Sequence, residues 1–104
     1  MTSLNFSGEN ISLESVFSQH KRLIYDRVVE EIANNYKDES VESIHIIKIT
    51  INDADNSVNL PRDKFISGLE NAIEYFVELE EYEKCQHCLN IINEIKAKKQ
   101  EALY

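Results

Sequence analysis

Two cysteines and a histidine lie close together in the segment Cys85–Cys88, which reads CQHC. A CxxC pair is typical of structural zinc sites and of thiol-disulfide exchange sites. Zinc needs four ligands, and because a second CxxC is missing, His20 and His45 would have to complete the set. Exchange sites favour a cysteine at a helix N-terminus beside positive charge, whereas glutamates precede Cys85. The surroundings of the pair favour neither chemistry.

Helical geometry assigns the two thiols to a packing role. With successive side chains about 100° apart, Cys85 and Cys88 fall on one apolar arc, while His87 points about 160° away from Cys85. The other members of the arc are Tyr82, Leu89, Ile92 and Ile95. We therefore predict that both cysteines are core thiols, and we predict no metal site and no redox site.

The remaining residues with catalytic potential are isolated. His20 and His45 fall among apolar residues in their predicted elements, and neither has a Ser, Cys or acid at a spacing that indicates a triad. Gly8 and Gly68 stand alone, so the chain has no glycine-rich phosphate loop. We expect no catalytic residue, no cofactor and no enzyme activity.

Four carboxylates form an acidic arc on the predicted helix that follows Pro61. The arc consists of Asp63, Glu70, Glu74 and Glu78, with no base between them on that side of the helix. Like charges four residues apart cost an isolated helix about 0.2–0.5 kcal/mol per pair. We predict that the arc is a protein-binding surface for a basic partner. The alternative is a solvated face without a binding role.

The N-terminal third predicts a single long helix after a polar lead-in. Residues 1–10 lack a periodic pattern, which indicates a mobile segment, and residues 11–104 are assigned to one domain. Ser12 is a candidate N-cap with Glu14 in the first turn, and helical periodicity continues to Tyr36. The apolar residues form two arcs about a quarter turn apart. This helix therefore bends around the core or serves two neighbours.

A β-hairpin is predicted in the middle of the chain. Residues 43–51 alternate and are rich in isoleucine, residues 52–56 carry turn chemistry, and alternation resumes at Val58 and Leu60. One face is predicted to carry His45, Ile47, Ile49 and Ile51, and the other Ile44, Ile46, Lys48 and Thr50. Because a two-stranded hairpin has unpaired edges, we expect a homodimer through the hairpin edge.

The C-terminal part predicts two helices separated by a turn. A single straight helix cannot keep the apolar positions from Ile66 to Ile95 on one face, so we place a turn between Leu79 and Tyr82. Residues 72–92 carry Phe76, Tyr82, Cys85 and Leu89 at contact positions and resemble one tetratricopeptide-type helical hairpin. The resemblance implies a packed helix pair. The predicted fold class is α+β, with a long N-terminal helix, a β-hairpin and a C-terminal αα-hairpin.

The charge composition of the chain limits the kinds of molecule that we expect it to bind. The chain has 104 residues and a formal charge of −8, and residues 61–83 hold 7 acids against 2 bases. Such a charge repels phosphate backbones and anionic lipid, so we expect no direct nucleic-acid binding and no membrane binding. The N-terminus lacks the basic and apolar regions of a signal peptide, and two cysteines cannot build a disulfide framework. We therefore expect a cytoplasmic protein.

These features favour a non-catalytic, acidic, protein-binding adaptor or regulator. Two alternatives stay open. An acidic nucleic-acid mimic would carry carboxylates at phosphate-like spacing, and a structural subunit of a larger assembly, such as a phage assembly, would pair its hairpin edge with another chain.

Overall fold

A computed structural model describes residues 3–101, with side chains described up to residue 98. Within these residues the chain forms one small α+β domain, which confirms the predicted fold class. The elements, in chain order, are β1 (Ser3–Phe6), α1 (Leu13–Gln19), α2 (Lys21–Asn35), β2 (Ser43–Ile51), β3 (Ala54–Pro61), a 3-10 turn (Arg62–Lys64), α3 (Phe65–Glu78) and α4 (Tyr82–Glu101).

The N-terminal segment contributes a strand to the sheet. β1 runs parallel to β2, with Leu4 opposite Ile49 and Phe6 opposite Ile51, and the strand order is β1-β2-β3. The prediction of a patternless lead-in over residues 1–10 is therefore wrong for residues 3–6; Met1 and Thr2 lie outside the described residues. Two alternating apolar residues are too short a pattern to indicate a strand, and the partner strand is distant in the sequence.

The predicted hairpin is confirmed, and its turn also holds β1. Asn52 and Asp53 both adopt positive φ (+48° and +66°), as the central residues of a type I′ hairpin turn do. The Asn52 backbone N–H donates to the carbonyl of Phe6 (2.9 Å). Its side-chain amide donates to the Gly8 carbonyl (2.8 Å) and accepts from the Gly8 N–H (2.9 Å). One asparagine thus closes the hairpin and fixes the end of the parallel strand.

A β-bulge in β2 overturns the predicted assignment of its faces. His45 pairs with Asn59 and Ile47 with Val58, which are adjacent on β3, so Ile46 is an extra residue without a partner. An extra residue resets the alternation of the strand, so the residues that follow it change faces. Ile44, Ile46, Ile47 and Ile49 are consequently all buried in the core. His45 lies instead on the opposite, polar face, and the prediction that it shares a face with three isoleucines is wrong.

The predicted long N-terminal helix is divided into α1 and α2. His20 separates them with φ −124° and ψ 30°, values outside the helical region. The predicted cap is present, because the Ser12 hydroxyl accepts from the Ser15 N–H at 3.1 Å. Each helix turns its own face toward the core, where Val16 of α1 and Ile24 and Ile32 of α2 are buried.

The turn between α3 and α4 falls where the apolar steps predict it. Glu80 adopts φ +59° in place of the usual glycine. The Glu81 N–H donates to the Phe76 carbonyl (2.9 Å) and the Glu80 N–H to the Val77 carbonyl (3.0 Å). This pair of bonds is a Schellman motif, which satisfies the free carbonyls at the end of α3. The helix therefore ends without glycine or proline.

The helices cover one face of the sheet and leave the other face polar. The core joins the buried isoleucines of β2 to large side chains of the helices, including Ile32, Phe65, Leu69, Phe76 and Ile92. The opposite face carries His45, Lys48 and Thr50 from β2 and Asp55, Ser57 and Asn59 from β3. The hydrophobic core is thus a single layer between the sheet and the helices.

Candidate partner-binding surface

The CxxC segment lies inside α4, and its thiols face the core. Cys88 is fully buried, and Cys85 is half-buried with its Sγ donating to the Ile73 carbonyl at 3.6 Å. Burial raises the pKa of the Cys88 thiol to about 11, with a smaller contribution from Cys85. His87 is exposed. Among the described residues no group of three or more His, Cys, Asp or Glu side chains could hold a metal ion.

Replacing both Cys85 and Cys88 with alanine should lower the free energy of unfolding by about 1–3 kcal/mol, because packed core volume is lost. The contribution of neutral Cys88 should be present below its ordinary pKa of 9.0 and be lost as the pH rises toward 11, since only the unfolded chain ionises readily in that window. Denaturant unfolding at several pH values measures both effects. Stoichiometric zinc in the purified protein, released by the double substitution, would contradict the assignment of both cysteines to the core.

The hairpin register brings a serine and a histidine together on the polar sheet face. Ser57 Oγ and Asn59 Oδ1 each lie 3.1 Å from Nδ1 of His45. A serine beside an imidazole is the starting arrangement of a nucleophile and its base. Here the hydroxyl and the amide oxygen compete for the same ring nitrogen, which can donate or accept but not both. The sequence did not reveal this contact, because it depends on the strand pairing.

The carboxylate on that face is engaged elsewhere and does not complete a triad. Asp55 accepts from Thr50 Oγ1 (2.8 Å) and forms an ion pair with Lys48 Nζ (3.3 Å). The hydrogen bond from Thr50, followed by the interaction with Lys48, lowers the pKa of the Asp55 carboxyl. His20, the other predicted candidate base, lies between α1 and α2 with its ring centroid 5.4 Å from that of Phe6. Asp55 thus makes structural contacts on the polar face of the sheet, and His20 makes them at the junction of α1 and α2.

Arg62 lines a wide cleft and serves a structural role there. The cleft, about 830 Å³ in volume, lies between the loop that follows α2, the start of α3 and the C-terminal part of α4. The guanidinium donates to four backbone carbonyls, those of Asn35, Tyr36, Asp38 and Val41, and lies 5.1 Å from the ring centroid of Phe65. It therefore caps the C-terminal end of α2 and ties the following loop to the start of α3. No sequence pattern indicated this role.

The four predicted binding residues are all exposed. Glu70, Glu74 and Glu78 lie on the solvent side of α3, opposite its buried side chains, and Asp63 precedes them in the 3-10 turn. None of the four forms an ion pair with a described side chain. Carboxylates of α2 are neutralised by contrast, with Asp26 at 3.0 Å from Lys84 and Glu31 at 2.9 Å from Arg27. The α3 face is thus an unneutralised stretch of negative charge.

Exposed apolar residues concentrate on the same helical hairpin. Of the five large hydrophobic side chains that are exposed among the described residues, four belong to it: Val77 (46%), Leu79 (43%), Tyr82 (62%) and Leu89 (44%). The prediction that Tyr82 and Leu89 lie in the buried arc of α4 is wrong. The buried arc centres on Cys88, Ile91 and Ile92, which leaves Tyr82 and Leu89 on its edge.

Every helix in the described range is too short or too polar to span a lipid bilayer. Comparison with protein-family models, with curated proteins and with solved structures finds no match to this chain.

Proposed function

We propose that the protein is a non-catalytic adaptor or regulator that binds a basic protein partner through the outer face of α3. The observation that carries the proposal is the row of Glu70, Glu74 and Glu78, exposed and without an ion pair among the described side chains. A helix that only had to stay soluble would gain a few tenths of a kcal/mol from Glu and Lys four residues apart. This helix instead keeps a single sign of charge.

Electrostatics indicates how such a face would act. Clustered charges at the edge of an interface mainly accelerate encounter with a partner of opposite sign, and salt weakens their effect. The same charges, together with the formal charge of −8, disfavour direct contact with nucleic acid or anionic lipid. The two unpaired cysteines fit the reducing cytoplasm.

Changing Glu70, Glu74 and Glu78 together to glutamine should slow association with the partner by about 3- to 10-fold at low salt and flatten the salt dependence of the rate. The partner would first be isolated by affinity capture and then be used in stopped-flow or surface-based kinetics at two salt concentrations. Folding should survive or improve slightly, because repulsion between like charges is relieved.

A matched control changes Glu9, Glu14 and Glu42 to glutamine, which removes the same charge from exposed positions elsewhere. This variant should retain most of the association rate. Equal slowing in both variants would mean that only net charge matters. An unchanged rate and salt slope in the α3 variant would overturn the proposal.

The free edge of β3 supports a second proposal, a homodimer through the hairpin. Among the described strands β3 pairs only with β2, so its outer backbone groups are available for another strand. Ile44 and Ile46, which were predicted to lie on the second face of the hairpin, are buried in the core and add no apolar surface to this edge. A larger assembly that used the protein as a structural subunit would engage the same edge.

If β3 pairs with a second copy, sedimentation should show a dimer at high protein concentration. Ser57→Lys should shift the species to a monomer, because a lysine on an edge strand opposes strand addition. Glu9→Lys adds a positive charge away from the edge and serves as the control. A monomer at every concentration would rule out the dimer.

A further inference from the structure

We infer that the outer surface between α3 and α4 binds an amphipathic helix that carries basic residues along one side of its apolar stripe. The inference rests on the proposed function and specifies the partner segment. We call the surface the α3–α4 seam and define it by three exposed residues, Val77, Tyr82 and Leu89.

The three residues lie on one side of the helix pair. Tyr82 and Leu89 are seven residues apart, which places them within about 20° of each other on α4. Cys85 lies between them on the same stripe, and its bond to the Ile73 carbonyl shows that this side of α4 contacts α3. Val77 follows Ile73 by four residues and therefore lies on the side of α3 that borders α4. The seam is a shallow apolar line where the two helices meet.

The carboxylates run beside this line. Val77 follows Glu74 by three residues, a spacing that makes them neighbours on a helix surface. It follows Glu70 by seven residues, which places Glu70 on the same side of the helix two turns away. Glu70, Glu74 and Glu78 are separated by about 6 Å along the axis, one helical turn each. The seam thus has an apolar centre and a negative border on its α3 side.

The apolar centre and the negative border together determine which kind of segment can bind the seam. Two antiparallel helices offer no open strand edge, so an extended peptide could not add backbone hydrogen bonds here, whereas a third helix can place side chains at i, i+3, i+4 and i+7 into the line between them. A second copy of this chain would bring two acidic borders into one interface, and an anionic membrane would be repelled. A helix with lysine or arginine beside its apolar stripe satisfies both halves of the surface.

A synthetic peptide pair tests the inference. The first peptide has about 18 residues, with leucines on one helical face and lysines along one side of it; the second has the same composition in an order without an apolar face. We expect amide chemical-shift changes from the first peptide to concentrate in residues 70–89. We expect the second peptide to bind at least about 10-fold more weakly, because central apolar contacts carry most of the binding energy of such interfaces.

Two variants separate the apolar and the acidic contributions. Tyr82→Ser with Leu89→Ser should weaken binding of the first peptide by about 10-fold or more, whereas Leu13→Ser, at an exposed leucine on α1, should leave it unchanged. Tyr82, Leu89 and Leu13 all have exposed side chains, and an amide spectrum checks that each variant is folded. Changing the three glutamates of α3 to glutamine should weaken binding and flatten its salt dependence.

The outcomes distinguish the inference from the proposed function. Equal binding of both peptides, sensitive to the glutamates but not to Tyr82 and Leu89, would overturn the seam and leave the acidic face in place. Shift changes outside residues 70–89, with no effect of either variant, would overturn both. Failure of the first peptide to bind at millimolar concentration would overturn the seam.

Discussion

Replacing Arg62 with alanine should lower the free energy of unfolding by about 2–4 kcal/mol, a larger effect than any other single side-chain substitution proposed for this protein. The guanidinium is half-buried, and its N–H groups reach four carbonyls at the end of α2 and in the loop that follows. Hydrogen bonds from a charged donor contribute about 1.5–3 kcal/mol each in favourable cases. Water replaces part of this after substitution, which sets the lower end of the range. Chemical denaturation measures the loss.

Two comparisons make the Arg62 result specific. Arg62→Lys should recover only a minor part of the stability, because an ammonium group cannot reach several carbonyls with the planar geometry of a guanidinium. Arg22→Ala removes the same charge from an ion pair with Glu81 in which the Arg22 side chain is 54% exposed, and it should cost much less stability than Arg62→Ala, because solvent screens exposed ion pairs. Equal losses for Arg62→Ala and Arg22→Ala would contradict the capping role of Arg62.

Deleting Ile46 should leave a folded protein, whereas deleting Ile49 should abolish folding. Each deletion removes one fully buried isoleucine from β2, so the loss of apolar burial is matched. Ile46 is the extra residue of the bulge, and without it Ile44, Ile47 and Ile49 keep their partners on β3. Loss of its side chain should still cost about 2–5 kcal/mol, by analogy with truncation of a buried isoleucine.

After deletion of Ile49, by contrast, no pairing of β2 with β3 keeps all the remaining isoleucines on the core face. If the bulge stays, Thr50 enters the core and Ile51 faces solvent; if the bulge closes, Lys48 enters the core instead. Circular dichroism and amide spectra of the two deletion variants provide the measurement. The register of β2 and β3 would be contradicted if the Ile49 deletion variant folded. It would also be contradicted if the Ile46 deletion variant were unfolded to the same extent as the Ile49 deletion variant.

The bulge also shows where sequence reasoning reached its limit in the fold. The isoleucines of β2 identify a strand, and residues 52–56 identify a turn, because both signals are local. The structure narrows the turn to Asn52 and Asp53. The extra residue at Ile46 leaves the strand pattern intact and changes only which side each residue faces. Its position depends on pairing with β3. The same limitation hides the strand β1, whose partner lies far along the chain, and the contacts of Arg62.

The acidic half of the candidate surface could be predicted from the sequence, because the helical periodicity of α3 is a local signal. The wheel of α3 separates its apolar side from Glu70, Glu74 and Glu78, and the structure places these glutamates on the exposed side. The helical wheel of α4 places Tyr82 and Leu89 in a broad apolar arc. It does not show how much of that arc is covered by α3 in the folded protein. Helix packing covers the part centred on Cys88 and leaves the other two exposed. The apolar half of the surface therefore required the tertiary structure.

Carboxyl footprinting of the complex tests the central claim most directly. Glycine ethyl ester, coupled by a carbodiimide, labels exposed carboxylates, and mass spectrometry measures the extent of labelling at each one in the free protein and in the complex with its captured partner. We expect Glu70, Glu74 and Glu78 to be labelled in the free protein and protected in the complex, while Glu9 and Glu42 react equally in both states. Unchanged labelling of the three α3 glutamates in a saturated complex would contradict the assignment of this face to partner binding.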